Sequence, residues 1–256
     1  MGSGGRHLGK KGDGAMGQKI TLSVIILQGG NFDKDIYKKC LDSVSWADEI
    51  IKIETDDLKG NFSDFRNLGS KKAKGDWFLY VDTDEIVTPE LKKVIQESIN
   101  SDRYSAYAIP RRNIVLGREM KHCGLWPDYV LRLIKKDKLK GWSGELHEQP
   151  VVEGKIYHLN EPLIHQKHDN LSDMVEKTNK WSDVEAKLMF DAHHPKMNFF
   201  RFMSVGIREF WLRMIVQTAF LDGVEGTIYG IYQVYSRLIS YSKLWELQLK
   251  NAGSNI

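Results

Sequence analysis

An apolar run at residues 77–81 ends abruptly in the acidic sequence Asp82-Thr83-Asp84. Five consecutive apolar residues predict a buried strand, and strands of this kind are typical of parallel sheets. Open α/β sheets bind ligands beyond the carboxyl ends of their strands, which is where Asp82 and Asp84 are expected to lie. Two carboxylates one residue apart suit Mg²⁺ or Mn²⁺ that holds a substrate diphosphate. The alternative is a turn whose acids only cap the next helix.

Strand-like and helix-like segments alternate up to about residue 134, and helical segments follow from residue 172. The predicted strands are 20–27, 49–54, 77–82, 104–109 and 129–134, and the predicted helices are 33–44, 63–74, 88–99, 172–191, 199–220 and 227–249. A strand-helix-strand opening is typical of a parallel βαβ unit. We therefore predict an α/β fold, with a mostly parallel sheet flanked by helices and a C-terminal helical extension.

The chain of 256 residues has room for one large α/β domain with an appendage. Residues 1–17, rich in Gly and Lys, are interpreted as a disordered leader, 18–170 as the catalytic domain, and 171–256 as the helical region. A net charge of +3 does not favour a nucleic-acid partner. Two cysteines without a motif, Cys40 and Cys123, fit a reducing compartment and give no zinc pattern.

Other polar residues stand at positions that suit nucleotide binding. Glu54 ends the second predicted strand, where its carboxylate is expected to accept bonds from a ribose or a uracil N–H. Arg66 and Asn67 precede the acidic strand, and the forked guanidinium of Arg66 is shaped for a phosphate. Taken alone, Glu54 and Arg66 are more often surface charges.

Motifs along residues 20–247 resemble the family 2 glycosyltransferases of the GT-A (Rossmann-like) fold, closest to the lipopolysaccharide core β-1,4-glucosyltransferases. The motifs that carry the resemblance are Cys40-Leu41-Asp42-Ser43-Val44, Arg66-Asn67-Leu68-Gly69, Gly75-Asp76-Trp77 through Asp84-Glu85, Arg111-Arg112-Asn113, Trp126-Pro127-Asp128-Tyr129, Leu131-Arg132-Leu133, His147-Glu148 and Phe220-Leu221-Asp222-Gly223. The chain departs from the family between Glu54 and Arg66, where part of the nucleotide-binding half is shortened.

The resemblance implies an inverting transfer of a sugar from a nucleotide sugar, with a UDP-hexose as the expected donor. Asp84 and Asp82 would hold Mg²⁺ or Mn²⁺, with Asp82 near the ribose or the metal. Glu148 matches the family's general base, and Asp128 and Glu145 are the second and third candidates.

Three further residues have roles that the resemblance implies. Arg132 would hold the diphosphate or orient the base. Trp126 would stack on an acceptor sugar, or belong to the core. His147 would contact the acceptor or the metal, or be an ordinary structural histidine.

Helices near residues 199–214 and 228–235 carry apolar faces, aromatic residues and interspersed Arg, which is typical of a helix lying in a membrane interface. The resemblance adds a glycan or lipid-linked acceptor, a role in cell-envelope polysaccharide synthesis, and a cytoplasmic location, peripheral on the inner face of the membrane. The alternative for these helices is a cap on the catalytic domain or on a second subunit. Alternative functions are a nucleotidyltransferase and a decayed, non-catalytic glycan- or membrane-binding module.

Overall fold

The computed structural model describes residues 19–30, 32–101, 103–144 and 148–253. The predicted leader therefore lies outside the described residues. The strands are β1 (Leu22–Gln28), β2 (Glu49–Glu54), β3 (Trp77–Asp82), β4 (Glu85–Val87), β5 (Ala106–Val115), β6 (Arg118–Glu119), β7 (Asp128–Lys135), β8 (Leu139–Ser143), β9 (Gln149–Val152), β10 (Ile156–His158) and β11 (Leu163–His168). The helices are α1 (Lys34–Val44), α2 (Phe62–Lys72), α3 (Pro89–Ser101), α4 (Leu171–Asp191), α5 (Phe199–Phe210) and α6 (Gly223–Asn251).

One mixed sheet has the strand order β2-β1-β3-β7-β5-β11-β4, and β6 and β10 also pair with β5. β1 is parallel to both β2 and β3, as the strand-helix-strand opening predicts. β7 runs antiparallel between β3 and β5. The short β8–β9 hairpin forms a separate sheet beside the site. This is the predicted α/β class with a C-terminal helical region, and that prediction is confirmed.

Alternating residues of β1 divide the core into two layers. Val24 and Ile26 pack with α1 and α3 on one face of the sheet. Ile25 packs on the other face with Tyr80 and Trp142, beside α2 and β8. The alternation follows from the two-residue period of a strand that is covered on both faces. This central strand therefore holds α2, which carries Arg66, at a set distance from the end of β3.

Helix α2 approaches β1 closely at Gly69. A Cβ on this residue would lie 2.5 Å from Cγ2 of the buried Ile25. We expect Gly69→Ala to lower the free energy of unfolding by about 1–3 kcal/mol, because the helix must move away from the sheet. Chemical denaturation measures this, with Lys71→Ala on the exposed side of α2 as the control. Equal stability of the two variants would contradict the proposed close contact.

Three strand and helix bounds predicted from the sequence are wrong. β5 continues to Val115, although Pro110 favours an earlier end. Pro110 is tolerated because it lies between the residues of β5 that pair with β10 and those that pair with β11. The predicted helix 199–220 is interrupted after Val216, where Thr218 has a positive φ of 48°. A 3₁₀ turn then leads into α6, which begins at Gly223 rather than at residue 227.

Helices α4 and α6 pack side by side through small and polar residues. Thr178 and Ser182 are buried on α4, and the Thr178 hydroxyl lies 2.6 Å from the hydroxyl of Tyr232. The Ser240 hydroxyl of α6 donates to Glu185 at 2.6 Å. Within the described residues, no helix combines the length and apolar character needed to cross a membrane. The division of the chain into domains at residue 171 stays a prediction.

Candidate active site

A cavity of about 270 Å³, here called the Asp82 cavity, lies at the carboxyl end of β3. Its lining residues are Arg66, Asp82, Arg111, Tyr129, Val130, Leu131, Arg132, Trp142, Glu148, Gln149 and Pro150. Arg66 comes from α2, Asp82 ends β3, Arg132 lies in β7, and Glu148 precedes β9. The structure thus brings together four of the residues that the sequence predicts to form the site.

Arg66 bridges the two acids of this cavity. Its Nη2 donates to Asp82 Oδ1 at 2.9 Å, and its Nε donates to Glu148 Oε1 at 3.3 Å. The guanidinium carbon lies 4.8 Å from the centre of the Trp142 ring, and the side chain is buried. Nη1 is also buried and has no hydrogen-bond partner among the described residues. An unpaired buried donor of this kind is one that a phosphate or sugar oxygen would satisfy.

Glu85, fully buried directly after the acidic strand, organises the base of the cavity. Its Oε2 accepts from the backbone N–H of Asp82 at 3.0 Å, and its Oε1 accepts from Arg132 Nη2 at 2.8 Å. The same nitrogen of Arg132 contacts Asp82 Oδ2. Burial alone would raise the pKa of Asp82, but the guanidiniums of Arg132 and Arg66 outweigh it and lower that pKa. Arg132 is therefore placed to orient Asp82.

Asp128, the second candidate base, is held by two donors of β5. Arg111 Nη2 donates to its Oδ2 at 2.7 Å, and Asn113 Nδ2 donates to the same oxygen at 3.0 Å. Burial alone would raise the pKa of Asp128, but Arg111 and Asn113 outweigh it and lower the pKa. A carboxylate with a lowered pKa is a weak general base near neutral pH. This environment favours a positioning role for Asp128.

Asp84 faces His165 of β11, whose tautomer follows from its neighbours. Asn113 donates its amide N–H groups to Leu125 O and Asp128, so its Oδ1 is the acceptor for His165 Nδ1 at 2.6 Å. With the proton on Nδ1, neutral His165 presents the Nε2 lone pair towards Asp84 Oδ2, 3.6 Å away. Two acceptors at this distance suit a shared cation, either a proton on Nε2 or a metal ion.

The chemistry of these donors fits a divalent ion. Five carboxylates are linked by ion pairs and hydrogen bonds to three guanidiniums, and Lys167 and Lys177 add positive charge near Asp128 and Asp84. The carboxylates are Asp82, Asp84, Glu85, Asp128 and Glu148, and the guanidiniums are Arg66, Arg111 and Arg132. No group of three or more His, Cys, Asp or Glu forms a metal cage among the described residues. A pair of protein ligands suits Mg²⁺ or Mn²⁺ that takes its other ligands from a substrate diphosphate and water.

A second and larger cavity, here called the Asp84 cavity, has a volume of about 540 Å³ and lies on the other side of Thr83. It extends from the end of β1 to the first turns of α4. Among its lining residues are Gly29, Gly30, Asp33, Thr83, Asp84, Lys167, Asp169, Lys177 and Trp181. Burial lowers the pKa of Lys167. Because Asp82 and Asp84 line different cavities, a ligand that contacts both acids must span the end of β3.

The comparisons with known proteins agree with this geometry. The sequence model described as "Glycosyl transferase family 2" matches residues 22–148, a range that contains Arg66, Asp82, Asp84 and Glu148. The chain belongs to glycosyltransferase family 2. The predicted GT-A fold class is confirmed together with the family.

Relatives of this glycosyltransferase occur in Rickettsia. An uncharacterized glycosyltransferase of Rickettsia conorii is 28% identical over 201 residues, which are 73% of this chain and 70% of the relative. One of Rickettsia bellii is 25% identical over 237 residues, or 80% of this chain and 79% of the relative. The crystal structure of S. aureus TarS 1-349 in complex with UDP aligns at 12% identity with a TM-score of 0.40, covering 92% of each chain. That overlap is too loose to assign residue roles.

Five predicted residues of the glycosyltransferase lie away from the paired acids or outside the described residues. Glu54 is exposed at the end of β2, and it is not one of the described residues that line the Asp82 cavity or the Asp84 cavity. Asn67 exchanges bonds of 3.0 and 2.8 Å with the backbone of Trp142, which fastens α2 to β8. Trp126 is exposed beside Asp128. His147, like the third base candidate Glu145, lies outside the described residues.

The shortened segment after β2 closes against the end of β1. A Cβ on Gly29 would lie 1.8 Å from Thr55 Oγ1, so this contact requires glycine. Asp56 Oδ1 accepts from the backbone N–H of Gly30 at 2.6 Å. Because β2 is an edge strand, the chain returns directly to α2 without adding another strand. The segment that the sequence predicts to hold the nucleotide is therefore a compact β1–β2 edge in this glycosyltransferase.

The pairing of Asp128 leads to a pH prediction for the glycosyltransferase. The pKa of Asp128 is lowered in the folded state, so the folded chain binds fewer protons than the unfolded chain. This contribution to stability is present above about pH 4 and is lost as the pH falls through the folded-state pKa. We expect Asp128→Asn to be less stable at pH 7, by about 1 kcal/mol, and to lose less stability on acidification than the wild type.

Urea denaturation at pH 7, 5, 4 and 3 measures this difference. Asp137→Asn, an exposed acid beyond β7, is the matched control and is expected to follow the wild type. Parallel pH profiles for Asp128→Asn and wild type would contradict the assignment of the ion pair.

Sequence reasoning gave no catalytic role to four residues that organise this site, Glu85, Arg111, Asn113 and His165. Arg111 and Asn113 carry a signal, because they alternate along β5 and share one face at the end of a strand. Because the predicted strand ended at Ile109, Arg111 and Asn113 fell outside it and their shared face could not be recognised. Glu85 follows the acidic motif directly, but only the buried turn into β4 directs its carboxylate back to Asp82.

Proposed function

We propose that this glycosyltransferase moves a sugar from a nucleoside diphosphate sugar, expected to be UDP-linked, to a glycan or lipid-linked acceptor, with inversion at the anomeric carbon. The observation that carries the proposal is the Arg66 bridge between Asp82 and Glu148, placed beside the Asp84–His165 pair. In the proposed reaction, this arrangement would supply a proton acceptor, a phosphate-binding guanidinium and a cation site around one strand end. Family membership adds sugar transfer as the reaction class.

Glu148 is proposed as the general base. Its carboxylate lines the Asp82 cavity and keeps one oxygen without a bond to Arg66. When the acceptor hydroxyl attacks the anomeric carbon, Glu148 would take the hydroxyl proton as the bond to the diphosphate breaks. Arg66 would direct the carboxylate at the cavity through its hydrogen bond to Oε1.

Asp84 and His165 are proposed to hold Mg²⁺ or Mn²⁺, in place of the pair Asp82 and Asp84. Both oxygens of Asp82 already contact guanidiniums, whereas Asp84 and His165 face each other without a hydrogen bond between them. The bound ion supplies charge neutralisation for the departing diphosphate. Asp82 would then orient Arg66, whose Nη1 has no hydrogen-bond partner among the described residues and would donate to an oxygen of the nucleotide sugar.

Trp126 and Tyr129 are proposed to contact the acceptor. Tyr129 lines the Asp82 cavity, and both rings are exposed on either side of Asp128. Exposed aromatic faces stack on the apolar faces of sugars. The resemblance to lipopolysaccharide core enzymes motivates a cell-envelope acceptor and a cytoplasmic location, with which the free thiols Cys40 and Cys123 are compatible.

A panel of UDP-, GDP- and dTDP-sugars, each tested with MnCl₂ and with EDTA, examines this proposal. Release of the nucleoside diphosphate from one donor, lost with EDTA, is the expected result. The second candidate function is a decayed, non-catalytic module, which the compact contact between Gly29 and Thr55 favours. Calorimetry with UDP and MnCl₂ distinguishes such a module from an active enzyme. No binding at millimolar UDP and no turnover of any donor would overturn the enzymatic proposal.

A further inference from the structure

Helix α5 exposes a continuous apolar stripe to solvent. Phe200 is 79% exposed and Ile207 is 63% exposed. The exposed members of the stripe are Phe199, Phe200, Met203, Ile207, Phe210 and Trp211. Their spacing of three and four residues places them on one side of the helix. Monomeric soluble proteins rarely expose apolar surface of this extent unless it contacts a partner.

The stripe continues beyond α5 into the turn that leads to α6. Ile215, Val216, Phe220, Leu221 and Val224 are all exposed there. We call this whole surface, from Phe199 to Val224, the apolar corner. Further along α6, Tyr229 is buried, and Tyr232 donates to Met174 O at 2.8 Å. Ile231 and Tyr235 of the predicted segment 228–235 are also exposed, so that segment is only partly covered by the fold, and the apolar corner is the larger part of the open apolar surface.

The charges around the apolar corner identify the kind of partner. Lys196, Arg201 and Arg208 are exposed on or beside α5. The only acid between residues 192 and 221 is Glu209, and its carboxylate accepts from Arg213 Nε at 2.7 Å. An apolar stripe flanked by cations that form no ion pair with any described residue matches the boundary between acyl chains and anionic headgroups. In a symmetric dimer through this stripe, these cations would lie close to their own copies, which is unfavourable.

We propose that the apolar corner docks the protein on an anionic lipid surface, with the aromatic side chains in the acyl boundary and Arg201 and Arg208 at the headgroups. This inference does not depend on the proposed reaction.

Hydrogen bonds join the apolar corner to the loop that carries Trp126. Asp222 accepts from the backbone N–H groups of Lys121 and His122 at 2.9 and 2.7 Å. Cys123 N donates to Gln217 O at 2.9 Å, and Arg213 Nη1 donates to Cys123 O at 3.2 Å. Docking would therefore hold the loop that carries Trp126 near the lipid surface.

Vesicle flotation with the full chain tests the proposal. The probes are vesicles of phosphatidylcholine alone and vesicles that also contain phosphatidylglycerol. We expect the wild type to float with the anionic vesicles, and Phe200→Ser/Ile207→Ser to lose about tenfold or more of its partitioning. Arg201→Gln/Arg208→Gln should weaken binding to anionic vesicles by about fivefold per charge and leave binding to neutral vesicles unchanged.

The matched control is Val151→Ser/Ile156→Ser, which removes two exposed apolar residues of β9 and β10, outside the apolar corner. It is expected to float like the wild type, and circular dichroism of all variants checks folding. Flotation of Phe200→Ser/Ile207→Ser at the wild-type level, or no flotation of the wild type, overturns the proposal. A wild-type dimer in analytical ultracentrifugation that this variant dissociates also overturns it, because a second copy would then cover the apolar corner.

Discussion

Glu148→Gln is expected to lower sugar transfer by about 10²- to 10⁴-fold while UDP binding with Mn²⁺ stays within about twofold of the wild type. The amide keeps the shape of the side chain and one acceptor for Arg66, whose Nε lies 3.3 Å from Glu148 Oε1. It cannot take the proton of the acceptor hydroxyl. The effect should therefore fall on kcat, measured as release of UDP from the donor that the nucleotide-sugar panel identifies.

Glu153→Gln is the matched control for this substitution. Glu153 follows β9 on the same hairpin, is exposed, and pairs with Lys140 at 2.7 Å. It should retain wild-type turnover. Normal turnover by Glu148→Gln would show that the base is wrongly assigned, and Asp128→Asn would be the next variant to measure.

Asp84→Ala is expected to weaken Mn²⁺-dependent UDP binding by about 100-fold or more. Asp84 is the carboxylate that faces His165 Nε2 at 3.6 Å, and its removal leaves a single protein ligand for the proposed ion. Burial alone would raise the pKa of Asp84, but the interaction with a His165 that carries a proton on Nε2 outweighs it and lowers that pKa. A bound metal ion would take the place of this proton between the two side chains.

Isothermal titration calorimetry with UDP, with and without MnCl₂, measures this effect. His165→Ala should weaken binding in the same direction, whereas Asp57→Ala, an exposed acid of the segment after β2, should bind UDP normally. Metal-independent UDP binding of equal strength in Asp84→Ala and the wild type would contradict the proposed ion site.

The predicted strands that survive in the structure are those with an unambiguous local signal. β1 and β3 lie where apolar runs without charges predict them, because only burial on both faces of a sheet accommodates such runs. The helix starts at Asp33 and Thr88 are likewise local, since each side chain accepts from backbone N–H groups of its own helix. Short strands such as β4 and β10 carry no comparable signal, because distant segments supply their pairing.

The residues of the site likewise divide into those that local sequence motifs predict and those whose partners only the fold brings together. The order of motifs along the chain was sufficient to assign the family and to select Asp82, Asp84, Arg66 and Glu148 as candidates. The sequence could not show that Arg132 pairs with both Glu85 and Asp82. It also could not show that His165 presents Nε2 to Asp84, because that orientation depends on Asn113 and, through it, on Asp128.

By itself, the sequence determined the α/β class and the acid-ended strand. It also determined the helical character of the C-terminal region. These properties depend on contacts within a few residues of each other and on the period of apolar side chains. The tertiary structure alone decided which acid pairs with which guanidinium and which apolar residues of the last helices stay open. Arg66 and Glu148 are 82 positions apart, and buried charges must find their partners wherever the fold brings them together.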